Sequence, residues 1–533
     1  MAEDKRVKDL LLRHDKLKSS RYNWDSHWED IAENFLPVKK DVYMRSGRVK
    51  GDNKYRHLYD SSGVMANELL ASALHGMLTN PSVQFFELSS GIPAIDDIHR
   101  VRLWLQKAVR RMHQVLNNSN FQTEIHEVYL DQGSFGTGAM MIEEDDDLIV
   151  RFHARPIYEM YIAESRSGVV EEVHRELVYK GRQILEEFDN NVFSDQQKRT
   201  LQDNLETEYD IIHIIRPRKK YDPFKLNQTN KPFGSFWVWK QEALMLKESG
   251  YNEFPLVVPR WSKFSGETYG RSPAMKVLPE VKMLNQMMKT TIEAGQLAVR
   301  PPLNVPDENM FPPEFTPGGL NYYRAGTKDR TEPLYTGADP RLGHQLIELV
   351  INKVNQAFYL DQLKLEDGDR MTATEVLQRT EEKLRLLGPI LGRQHFELLK
   401  PLVDRVFAIM LRKGELPPDI PPELSDRKLE VQYSSMIARA QRSSEAENLN
   451  RVMALMAPLA EFDPSVMDNV NPDEILKYFS NIFNVPQDIF RSEDEKADIR
   501  QQRARQQQQQ QEMQQQMATA ETIQKTAPLI QGE

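Results

Sequence analysis

Two strongly periodic helical segments in the middle of the chain bracket a stretch that can continue neither of them. Ser272 is a candidate N-cap and Pro273 a candidate first helical residue. Val281, Leu284, Met288, Ile292, Gly295 and Val299 mark one face of the helix that follows, until Arg300-Pro301-Pro302 stops it. Residues 301–338 are rich in Pro and Gly and too irregular for helix, with Leu303–Val305 and Asn321–Arg324 as candidate short strands. Asp339-Pro340 restarts a helix by the same capping logic, and Leu346, Ile347, Val350, Ile351, Val354 and Phe358 form its apolar stripe. A helix goes out, a small module intervenes, and a helix returns.

Helical periodicity also dominates on either side. Residues 1–36 read as a helix pair ended by Pro37, and an Ala-rich helix capped by Asp60 or Ser61 runs to Asn80-Pro81. Helices are expected over 98–118 and 120–132, the latter leading into Gly133-Ser-Phe-Gly-Thr-Gly138. The period then shortens. Ala139–Ile142, Leu148–Phe152, Glu159–Ala163, Val169–Val178, Asp210–Arg216, Ser235–Lys240 and Leu256–Arg260 read as strands divided by turn residues. After the returning helix, 361–371 is a charged loop, and Thr372-Ala-Thr-Glu375 is a capping box opening a periodic segment to Gly414 that Gly388-Pro389 should kink or break. A strand at Leu429–Tyr433 and helices over 437–460 and 472–482 follow. Glutamine then fills 11 of the 16 residues from 501 to 516, a tract without an apolar stripe that alone would fray or be disordered. The fold class is α+β, mainly helical, and 533 residues call for two to four packed units.

Several function classes fall away on inspection. The chain holds no cysteine, so disulfides, thiolate nucleophiles and Cys-based zinc sites are out. No Gly-Lys dipeptide occurs, which excludes the phosphate-cradling loop of an ATP-driven motor. The glycines at 133, 136 and 138 fit a tight helix-to-strand turn better than a dinucleotide loop. His126-Glu127 opens like a zinc-protease motif, but Leu130 stands where the second histidine is needed. Glu143–Asp147 reads as a solvated hairpin tip rather than a cation site, no GxSxG elbow exists, and His344 and His395 read as satisfied helix residues. No catalytic, cofactor-binding or metal-ligating residue is assigned. The first twenty residues lack a secretory signal and no stretch is apolar enough for a membrane span, so a start in a reducing cytoplasm and no membrane partner are expected. Lys and Arg total 69 against 79 Asp and Glu, a net charge of −10 and the wrong sign for gripping nucleic acid.

Six stretches, in order, carry a resemblance: Met77-Leu-Thr-Asn-Pro81, Phe135-Gly-Thr-Gly138, Tyr269-Gly-Arg-Ser-Pro-Ala-Met275, Arg300-Pro-Pro302, Met371-Thr-Ala-Thr-Glu375 and Leu387-Gly-Pro389. From about residue 10 to about 490 the chain resembles the portal, or head-to-tail connecting, proteins of short-tailed bacteriophages. That resemblance implies the portal fold of wing, stem, clip and crown, in a homo-oligomeric ring, typically a dodecamer, around a central DNA channel. On this reading 1–272 is wing, 273–300 and 339–360 are the stem helices, 301–338 is the clip, 361–371 the tunnel loop, and 372–490 wing and crown helices. Residues 491–533 form a tail that is either a helical barrel or disordered. Lys364, Glu366, Asp367, Asp369 and Arg370 become candidates to face the channel, a mixed field that positions phosphates without holding them. Arg324, Lys328 and Arg330 become candidates in the clip.

The resemblance further implies a virion location at the portal vertex of the capsid, reached from the host cytoplasm during assembly. Partners would be terminase, then tail adaptor and tail proteins, the major capsid and scaffolding proteins, and transient non-specific contact with double-stranded DNA; no cofactor is implied. Two alternatives stand beside it: a non-ring tail adaptor or scaffold, and a DNA-packaging enzyme.

Overall fold

The structure is a computed structural model that describes residues 2–40, 51, 53–222, 225, 227–299, 303, 304, 332, 333, 340–363, 387–424, 429–433, 449–456, 458, 459, 463, 470–482, 489, 491 and 493–526. It is mainly helical with antiparallel sheets and divides into two compact units. The first comprises Met1–Val83 and Val115–Lys413, the second Gln84–Gln114 and Gly414–Glu533.

The first unit is built on a five-stranded antiparallel meander of Met160–Glu164, Val170–Lys180, Glu208–Pro217, Phe233–Trp239 and Leu244–Tyr251, adjacent in chain order. Both faces are covered, which explains why Ile211, Ile212, Ile214 and Ile215 are all buried in one strand. One face packs Ile211, Trp239 and Leu246 against Ile184, Phe188, Phe193 and Leu201. Ile184 and Leu201 come from two short helices, Gly181–Glu187 and Asp195–Asp203, absent from the sequence expectations, and Phe188 and Phe193 from the segment between them. The other face packs Ile212, Ile214, Phe236 and Val238 against Val7 and Leu10 of the N-terminal helix. That helix is a single rod, Ala2–Phe35, rather than the expected pair. Ser19 and Ser20 do not break it because their hydroxyls donate back to the carbonyls of Asp15 and Leu17 within the helix.

Most other elements match their sequence signals. The Ala-rich helix is Ser62–Leu78, and the Asp60 carboxylate accepts from the backbone N–H of Ser62 at 3.1 Å. The acidic run forms a hairpin tip, with Met140–Asp145 paired to Ile149–Ala154 and to the short strand Leu256–Val257. Leu256–Arg260 was too long a strand assignment, and Leu244–Tyr251, polar enough to be missed, is an edge strand. The kink or break expected at Gly388-Pro389 concerns the run from 372, whose residues before 387 lie outside the described ones. Helix runs on from 387, and the departure from α geometry is a π turn at His395–Leu399 before the helix Lys400–Lys413.

In the second unit Phe86–Ser89, also missed, pairs with Glu430–Tyr433. His113 stacks on Phe86 at 4.5 Å, and Trp104 of the helix His99–Asn118 donates to the Pro417 carbonyl at 3.1 Å. The helix Pro472–Ile482 lies where expected. The glutamine tract is helical within Glu493–Thr526. Gln, Arg, Lys, Glu and Ala are good helix formers, and a missing apolar stripe deprives a helix of a packing face, not of its hydrogen bonds.

Candidate functional site at the root of the helix pair

The outgoing helix is Pro273–Val299 and the returning helix Pro340–Ala357. Ser272 caps the first as its composition suggested: its hydroxyl accepts from Met275 N at 3.0 Å and donates to the Ser134 carbonyl at 2.7 Å. The two helices run antiparallel. Leu284 packs with Ile347 and Val350, while further out Gly343 lies against Thr291, where a Cβ would come within 2.9 Å of the hydroxyl. Past the helix ends, Leu303 pairs with Pro333 and Asn304 with Glu332, so a short antiparallel ladder bounds the Pro/Gly module. The candidates Arg324, Lys328 and Arg330 inside that module lie outside the described residues. So do Lys364, Glu366, Asp367, Asp369 and Arg370, although their near flank, the helical turn Leu360–Leu363, is described.

What the structure does describe is how the base of this excursion is held. The Phe135-Gly-Thr-Gly138 turn and the Tyr269-Gly-Arg-Ser272 segment, remote in sequence, lie backbone against backbone. Gly136 has φ +75°, and a Cβ there would stand 2.4 Å from the Gly270 carbonyl oxygen; a Cβ on Gly270 would stand 2.1 Å from that of Gly136. Only glycine fits both positions. Thr137 Oγ1 accepts from Gly270 N at 2.8 Å, and the Gly136 carbonyl accepts from Trp261 N at 2.8 Å. The N-terminal helix closes the site. Trp28 meets Tyr269 edge-on at 5.1 Å and donates to the Phe135 carbonyl at 3.1 Å, and Arg271 lies over Trp24 at 4.5 Å. Burial pushes the Tyr269 hydroxyl up to about 12, and it stays protonated as the acceptor for Ile162 N.

Beside the turns sits Arg260, 2% exposed. Glu397, in the π turn, grips it with two carboxylate oxygens at 2.9 Å and also accepts from its backbone N–H at 3.0 Å. Glu164 takes a third guanidinium donor, and the carbonyls of Thr268 and Gly168 accept at 3.1 Å. Burial alone would lower Arg260, but the Glu397 and Glu164 carboxylates outweigh it and hold the guanidinium above its ordinary value. Such a bidentate pair needs this saturation of donors to offset its desolvation. Gln394 continues the link, accepting from Gln132 at 3.0 Å. Phe358, at the end of the returning helix, packs on Phe35 at 5.7 Å. The helix leaving 387 is thus tied to Arg260 and the helix ending near 358 to the N-terminal rod, so both flanks of 364–386 are clamped.

Sequence reasoning quoted the two glycine turns but missed Arg260 and Glu397. Nothing in either residue's neighbours signals a partner 137 positions away. The arrangement holds backbone segments together. Among the described residues no group of three or more His, Asp and Glu side chains could hold a metal ion, and no helix is long and apolar enough to cross a membrane.

The profile of the family described as bacteriophage head to tail connecting protein matches residues 7–490. The chain belongs to that family. It is 32% identical over 513 residues to the probable portal protein of Bordetella phage BPP-1, spanning 95% of this chain and 92% of that one. It is 31% identical over 516 residues to the portal protein of Salmonella phage epsilon15, with the same shares covered. To the portal protein of Escherichia phage T7 it is 23% identical over 225 residues, 40% of each chain. This connector is therefore a structural component of the phage particle at the head-tail junction, and the glycine turns and the Arg260 clamp are the internal bracing of that structural role.

Proposed function

We propose that copies of this connector close into a ring, a dodecamer by the family's habit, at one capsid vertex, and that the genome enters and leaves through its central channel. The stem is the helix pair, the clip is the module of residues 301–338, the tunnel loop is 361–371, and wing and crown surround them. The observation that carries this reading is the set of apolar side chains that the helix pair leaves exposed. Ile292, Leu297 and Val299 of the outgoing helix are 43%, 42% and 89% exposed, and Leu346 and Leu349 of the returning one 54% and 60%. A single chain leaves this apolar surface in water, and neighbouring copies of the same pair would bury it, at roughly 25 cal/mol per Å² covered. A head-to-tail contact repeated with closing rotation makes a ring, and a non-ring adaptor would leave the strip uncovered.

The channel function follows from charge. With a net charge of −10 the connector has no electrostatic grip on phosphates, and a conduit works best when the duplex can slide. The mixed charges of Lys364, Glu366, Asp367, Asp369 and Arg370 would centre DNA without holding it. The clip, with Arg324, Lys328 and Arg330, would receive a separate terminase during packaging and tail proteins afterwards. Wing surfaces would meet capsid and scaffolding proteins. The chain carries no nucleotide-binding loop, so the driving hydrolysis is the terminase's, and the connector is not an enzyme. Assembly would take place in the host cytoplasm. Class averages of the purified protein viewed down the particle axis test the ring: closed rings with a hole of about 20 Å or more, duplex width by groove dimensions, support it. Monomers or small asymmetric particles at high concentration would overturn it.

A further inference from the structure

At one corner of the meander the basic run Arg216-Pro-Arg-Lys-Lys220 leaves the strand Glu208–Pro217 and lines an open cleft of about 530 Å³ together with Arg6 and Phe236. Three guanidinium groups fan around the Phe236 ring, Arg6 at 4.8 Å, Arg218 at 5.2 Å and Arg216 at 5.6 Å from its centroid. Gly234 makes room for this fan, because a Cβ there would stand 2.7 Å from the ring and 3.2 Å from Arg218 Nε. Arg6 and Arg218 are both committed to Glu248, at 2.8 and 2.7 Å, and Arg218 also donates to the Ser249 carbonyl. Arg216, Lys219 and Lys220 have no ion-pair partner among the described residues. Both lysines are exposed and Arg216 is half-buried. Burial, only partly offset by Glu172, pulls Arg216 below its ordinary value, so its charge is under-compensated where it stands. On the opposite wall Glu164 is bound to Arg260 and Glu172 to Arg13, which leaves Glu171.

We propose that this cleft docks an acidic polypeptide segment of a partner protein, with Arg216, Lys219 and Lys220 receiving its carboxylates and Glu171 receiving a basic residue beside them. A carboxylate matches the planar fork of the Arg216 guanidinium, which lies 5.6 Å from the Phe236 ring centroid. Duplex DNA fits less well. It presents a phosphate charge about every 1.7 Å and is held by a continuous basic track, whereas here three cations share one short cleft. The cleft is large enough for several side chains and has charges of both signs, the character of a polar protein interface.

The test is fluorescence anisotropy of a labelled oligoglutamate peptide with the full-length protein at low salt, with an unlabelled duplex oligonucleotide as competitor. Saturable binding is expected, weakened about tenfold or more by the pair Lys219→Glu and Lys220→Glu, as charge reversal at a docking site does. Arg182→Glu, an exposed cation elsewhere on the same unit, should leave it unchanged, and Glu171→Lys should tighten it. Absence of saturable binding, or equal loss in the Arg182→Glu control, overturns the proposal. Duplex DNA that binds more tightly than the peptide and is lost in the same lysine variants would make the cleft a nucleic-acid site instead.

Discussion

Gly136 and Gly270 show how a single missing methyl group can position two remote motifs. Placing alanine at Gly136 adds both a left-handed backbone cost at φ +75° and a contact 2.4 Å from the Gly270 carbonyl. Gly136→Ala should therefore destabilise the chain by about 2 kcal/mol or more, read as a lowered thermal midpoint. Arg260 is a second such point. Glu397→Gln leaves a buried guanidinium with Glu164 as its remaining carboxylate. The expected cost is about 2 kcal/mol, below the ~3–5 kcal/mol of a buried charge with no partner, and denaturant titration would measure it. Glu172 ties pH to stability. Burial pushes its carboxyl up, but hydrogen bonds from His174 and Arg13 outweigh that and bring it down to about 2 from an ordinary 4.5. Because the folded value is depressed, its contribution is complete above 4.5 and is lost as pH falls toward 2. A Glu172→Gln variant should lag the parent in denaturant midpoint near neutral pH, and the gap should close in acid.

Elements here owe their limits to a few local groups. Ser272 both caps the outgoing helix and anchors it to Ser134, so Ser272→Ala should cost roughly 1–2 kcal/mol, while Ser272→Thr, which keeps the hydroxyl, should cost less. Differential scanning calorimetry of the two variants distinguishes loss of the hydroxyl from crowding. The N-terminal rod illustrates the opposite case, in which Ser19 and Ser20 fold their hydroxyls back and leave the helix whole. The π turn at His395–Leu399 widens the helix where Glu397 reaches Arg260. An extra residue in a turn commonly marks a position where a helix serves a bond outside itself.

At the scale of the whole molecule, apolar residues left in water on the helix pair are the strongest statement that the chain acts in company. Replacing Ile292 and Leu349 together by Asp should leave the monomer's circular dichroism and thermal midpoint within about 0.5 kcal/mol of the parent, since both side chains are exposed. If copies close into the proposed ring through this surface, the same change should shift a sizing column from ring to monomer by placing charges between them. An unchanged ring would mean that other surfaces close it. The match to head to tail connecting proteins over residues 7–490 makes a structural role the frame within which every local feature is read.

The sequence by itself determined the mainly helical α+β class, the helix ends at Ser272-Pro273, Asn80-Pro81 and Pro340, the acidic hairpin tip and the family. Each is written in contiguous residues: a cap, a breaker, a period, an ordered set of short motifs. The channel and clip candidates rest on the family resemblance and lie outside the described residues. Tertiary contacts alone reveal that the two glycine turns interlock, that Arg260 and Glu397 clamp the helix that follows residue 386, and that Arg216, Lys219 and Lys220 share a cleft with Arg6. These contacts join residues separated by more than a hundred positions, and the energy that selects them, close packing and desolvated charge pairing, has no local period to read.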